Sequence, residues 1–126
     1  MSTVKAIQGT IDQLVSDTLP DVRVIELVRH ASPLVRMNAI ACLVRRAAID
    51  ESLIDHVLAA IADPVNRFRL MGTVTVADEA ICLLLQSGIK RACEEATKLV
   101  LSEAEPKRTD LIERLESRRV PFPNRK

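Results

Sequence analysis

The residues able to do chemistry are few and scattered. In 126 residues there are two histidines, His30 and His56, three cysteines, Cys42, Cys82 and Cys93, and three glycines, Gly9, Gly72 and Gly88. Neither histidine has a nearby cysteine or a second histidine at ligand spacing, so no metal site is expected. The odd cysteine count fits neither a disulfide framework nor a zinc knuckle, and each cysteine lies in an apolar run where a thiol acts as a small hydrophobe. The glycines make no phosphate loop, dinucleotide fingerprint or nucleophile elbow. Two of the three acid pairs, Asp50-Glu51 and Asp78-Glu79, fall at predicted helix starts, where carboxylates complement the helix dipole; Glu94-Glu95 falls within a helix. With no catalytic constellation, metal site or cofactor site in view, the expectation is a non-enzyme.

The arginines carry more of a pattern. Arg36 and Arg67 lie 31 residues apart, and each follows a cap-then-proline pair, Ser32-Pro33 and Asp63-Pro64. Arg69, Lys90 and Arg91 would extend a basic row, and Phe122 is the large apolar side chain of the C-terminal tail. These six, Arg36, Arg67, Arg69, Lys90, Arg91 and Phe122, are the partner-binding candidates. Arg45 and Arg46 close a predicted helix, where cations complement the dipole. His30 reads as a helix C-terminal residue and His56 as a surface residue.

The elements that must position these residues are helices. Val4, Ile7, Ile11, Leu14 and Val15 form one apolar stripe over 3–16. Helices follow at 21–30 and, launched by Ser32 as N-cap with Pro33 at the first position, at 33–48. The 33–48 segment is apolar nearly all round, so neighbours must cover most of it. Asp50 starts a helix over 51–62 and Asp63-Pro64 another over 64–76. That second one is weakened by Gly72 and by the alternation Thr73-Val74-Thr75-Val76, which for want of a partner strand is read as a helix that ends early. Helices over 78–87, stopped at Ser87-Gly88, then 89–104 and 109–117 complete the domain. Residues 118–126, with four basic residues and two prolines, form a tail.

By this punctuation the middle of the chain is three antiparallel helix pairs at a period near 30 residues, the mark of an α-solenoid. Ser32-Pro33-Leu34-Val35-Arg36-Met37-Asn38-Ala39-Ile40-Ala41-Cys42-Leu43 resembles the second helix of a HEAT-like repeat of the phycobilisome-lyase type. Asp63-Pro64-Val65-Asn66-Arg67 repeats its opening and then departs, with Asn66, Leu70 and Val74 off the pattern; the third pair keeps only the apolar spacing. The resemblance, over roughly 21–104, implies an all-α stack of about three helix pairs with a concave surface that binds proteins or peptides. It also implies a repeated arginine that staples one repeat to the next. Helices 3–16 and 109–117 would be the end caps, or a homodimer interface.

Charge and composition narrow the partners. The net charge is +1, and residues 1–60 hold six basic and seven acidic residues against twelve and ten in 61–126. With only two aromatic residues, Phe68 and Phe122, neither a basic footprint nor a stacking platform for nucleic acid is present, although HEAT-like nucleic-acid enzymes exist. The N-terminus has no signal-peptide pattern and no window is apolar enough to span a membrane, so the expected location is cytoplasmic. The expected function is a non-catalytic protein- or peptide-binding adaptor. The other reading is a stand-alone inhibitor or immunity-type protein that blocks a partner enzyme.

Overall fold

The computed structural model describes residues 3–67, 69–71 and 74–120, with backbone alone at 3, 69–71 and 74. Seven α-helices are present among them: α1 (Thr3–Val15), α2 (Asp21–Leu27), α3 (Pro33–Arg46), α4 (Leu53–Ala62), α5 (Val76–Gln86), α6 (Lys90–Ser102) and α7 (Lys107–Ser117). The all-α expectation holds for these segments, and none of the helices is long and apolar enough to cross a membrane.

One predicted helix is not formed. Residues 64–76 give a single 3-10 turn, Pro64–Arg67, and then an irregular antiparallel ribbon of β1 (Arg69–Met71) and β2 (Val74–Thr75) that pairs Arg69 with Thr75 and Met71 with Val74. The expectation of no sheet therefore fails at this point. The partner strand missing from the sequence reading is the three residues just before Gly72. A glycine followed by β-branched residues disfavours helix.

The caps explain where helices begin and end. Ser32 Oγ accepts the Val35 N–H, with Pro33 in the first turn. Asp50 acts one turn upstream of α4, taking the Ser52 N–H at 3.1 Å. Helix α5 starts two residues earlier than expected because Thr75 Oγ1, not Asp78, is the cap, accepting the Asp78 N–H at 3.0 Å. Two helices close with a left-handed residue other than glycine. Asp17 (φ 62°) follows α1, with Thr18 N–H on Gln13 O, and Arg119 (φ 58°) follows α7, with Val120 N–H on Leu115 O. Val120 is thereby buried above Leu115, so the first residues of the predicted tail belong to the helix stop.

The chain divides into two compact units, residues 1–80 and 81–126. In the first, α3 is the hub: Val35, Ala39, Ile40, Cys42, Leu43 and Val44 are buried, and α1, α2 and α4 all pack on it. In the second, α6 buries Ala92, Ala96 and Val100, α7 buries Leu111 and Leu115, and the two helices pack together.

Candidate functional site

A buried and multiply bonded polar side chain of the first unit is Arg36. It is only 6% exposed. Its Nη1 donates to the carbonyls of His30 (2.8 Å) and Ala31 (3.0 Å), and its Nε donates to Asn66 Oδ1 at 2.8 Å. Asn66, 1% exposed, passes the link on: its Nδ2 donates to Ala60 O at 2.8 Å. One buried guanidinium thus ties the turn after α2 to the turn after α4. Such charge-assisted bonds inside the fold are strong and costly to break.

The helices that lead into these two turns, α2 and α4, form the walls of a groove of about 370 Å³. Ile25, Glu26, Val28 and Arg29 line one side, and His56, Ala59, Ala60 and Asp63 the other. The small side chains Ala59 and Ala60 leave the space open, and Ile25 and Val28 make the opposite wall apolar. The rim carries both charge signs. Glu26 meets Arg23 on its own helix at 3.3 Å, and Asp63 Oδ1 accepts the Val65 N–H at 3.0 Å, capping the 3-10 turn. His30, next to this wall, is held by its own backbone: its Nδ1 accepts the Ser32 N–H at 2.9 Å. An apolar cleft with a few polar groups at its edge suits one or two apolar side chains of a ligand.

A second polar cluster holds α1. Arg46 donates from Nε to Asp17 Oδ1 (2.8 Å), from Nη1 to Asp21 Oδ1 (2.7 Å) and from Nη2 to Leu19 O. Arg45 Nη2 reaches Leu14 O at 3.0 Å. The Cys42 thiol donates to Asp17 Oδ1 at 3.2 Å. These bonds from Cys42 and Arg46 hold the Asp17 carboxyl below its ordinary pKa, and burial pushes the Cys42 thiol up. A raised thiol pKa makes a poor nucleophile at neutral pH. The role of Arg45 and Arg46 is therefore to fasten the link between α1 and α2, beyond the dipole complementation read from sequence.

Of the six candidates of the sequence reading, four have described side chains. Arg36 is buried in the staple, so it positions the groove instead of facing a partner. Arg67 is exposed at the end of the 3-10 turn, on no helix. Lys90 is exposed in the first turn of α6, and Arg91 beside it is half-buried. The side chain of Arg69 and all of Phe122 lie outside the described residues. Sequence reasoning missed the groove because its walls come from segments 30 residues apart; His56 was visible only as a surface residue. The one signal that pointed here was the arginine spacing. Among the described residues, no group of three or more His, Cys, Asp or Glu is placed to hold a metal ion. Comparison with protein-family models, curated proteins and solved structures finds no match to this chain.

Proposed function

We propose that the chain is a non-catalytic binding module that takes an apolar side chain of a protein or peptide segment into the groove between α2 and α4. The observation that carries this reading is the Arg36–Asn66 staple, which ties the turn after α2 to the end of α4 beside the groove. A preformed groove spares the ordering cost that association otherwise incurs. The HEAT-like pattern around Ser32-Pro33 is consistent with such a role, and in that reading the stapling arginine and the binding surface belong to the same repeat junction.

The test is a selection of random displayed peptides on the full chain, followed by rebinding to Ala59→Trp. Ala59 is exposed, so the substitution fills the groove without entering the core. Peptides that bind here lose at least about tenfold in affinity, the loss expected when an apolar contact is displaced. Selected peptides that bind the variant undiminished would overturn the reading.

A further inference from the structure

The four polar side chains at the groove are not equally engaged. Both carboxylates have a partner within the chain: Glu26 receives Arg23 at 3.3 Å, and Asp63 Oδ1 accepts the Val65 N–H at 3.0 Å. The side chains of Arg29 and His56 make no hydrogen bond or ion pair with any described residue. The groups left without a partner are therefore both able to donate, and one of them is a permanent positive charge.

They stand on opposite walls, Arg29 in the turn after α2 and His56 within α4. His56 is three and four residues before Ala59 and Ala60, so the imidazole neighbours the small side chains that open the groove. Arg29 is exposed, but its backbone is held in place. Its N–H bonds Glu26 O at 3.1 Å, and the carbonyl of the next residue, His30, accepts from Arg36 at 2.8 Å. The guanidinium is thus carried by a stapled turn, beside the apolar wall of Ile25 and Val28.

We propose that the segment bound in the groove carries a carboxylate next to its apolar side chain. The apolar side chain lies over Ala59 and Ala60, and the carboxylate is met by Arg29 from one wall and His56 from the other. This inference rests on the groove being the binding site, as proposed above, and adds the chemistry of the partner: an acidic and apolar peptide or loop. Arg29 selects it in two ways. It attracts a carboxylate, and it repels a basic residue at the same place. The apolar contact supplies affinity and the charge pair sets orientation.

The experiment uses displayed random peptides selected on the full chain. Those that Ala59→Trp releases are synthesised in two forms, as selected and with the acidic residue changed to its amide. Both forms are titrated against the parent and against Arg29→Gln, with circular dichroism to check that the variant stays folded. Acidic residues are expected within two positions of the apolar residue. The amide form binds the parent about fivefold more weakly, the scale of an exposed ion pair, and binds Arg29→Gln within about twofold of the acid form. Added salt narrows the gap on the parent. Groove-bound peptides without acidic enrichment, or amide forms that weaken equally on both proteins, overturn this inference and leave the groove reading standing. Peptides that Ala59→Trp does not release overturn the groove reading and this inference with it.

Discussion

The pairs Ser32-Pro33 and Asp63-Pro64 open with the same chemistry and end in different structures. Both supply a side-chain oxygen for the turn ahead: Ser32 caps Val35 and Asp63 caps Val65. After the first, α3 runs for 14 residues; after the second, a 3-10 turn of four residues gives way to a ribbon. The difference lies downstream. Ala39, Ile40, Cys42 and Leu43 give α3 a buried face, whereas Gly72 to Val76 combine a helix-weakening glycine with β-branched residues. A cap starts a helix, but an apolar face on a packed neighbour sustains it. The paired arginines divide in the same way. Arg36 is drawn inside as the staple of a groove, and Arg67 stays exposed on the surface.

The comparison can be broken most forcefully from the α3 side. Ala39 is fully buried, so Ala39→Glu places an unpaired carboxylate in the hub and costs several kcal/mol, roughly the whole stability of a marginal domain. Thermal or urea unfolding reads it directly. Next in size is Arg36→Ala, which leaves Asn66 Oδ1 and two carbonyls without their donor and costs about 3 kcal/mol. The matching change Arg67→Ala, at an exposed position, stays within about 0.5 kcal/mol. If the two arginine variants melt alike, the staple is not what distinguishes the two junctions.

A smaller effect sharpens the account of α1. Asp17 titrates below its ordinary value of 3.8 because the Cys42 thiol and then Arg46 bond its carboxylate. A depressed folded pKa means that the unfolded chain binds the proton first, so this contribution is present above the unfolded value and fades as pH falls through the folded one. Glu105 behaves likewise in the second unit, its carboxylate accepting from the Thr109 hydroxyl and N–H at the start of α7. Melting curves of Asp17→Asn against the parent should converge as the pH drops below about 4 and separate above it. A gap of constant size across that range would show that the carboxylate's charge is not what holds the link. A modest change is expected at Gly88, whose φ is 75°: Gly88→Ala costs about 1 kcal/mol from the left-handed backbone alone.

Much of the helical framework was legible from local signals. Ser32-Pro33 launched α3, Gly88 stopped α5, and the apolar stripes of α4, α6 and α7 fell where spacing placed them. The ribbon was missed because a two-stranded pairing needs only its immediate neighbours, so the absence of a distant partner strand was no evidence against it. Arg45 and Arg46 close α3 as expected, but their bonds to the α1–α2 link were not legible, since Leu14, Asp17, Leu19 and Asp21 are close to them only in space. The groove was hidden in the same way. The HEAT-like resemblance implied that Arg36 would bond the neighbouring turn, yet nothing linear indicated that His30 O and Ala60 O would be joined through it.

The central claim, a preformed groove that receives a ligand, is tested most directly by hydrogen exchange on the full chain with and without a peptide selected on it. Protection is expected to concentrate in the C-terminal turns of α2 and α4, over residues 25–29 and 56–63, with α6 and its Lys90 and Arg91 unchanged. Protection confined to α6, or spread without any at the α2 and α4 turns, would contradict it.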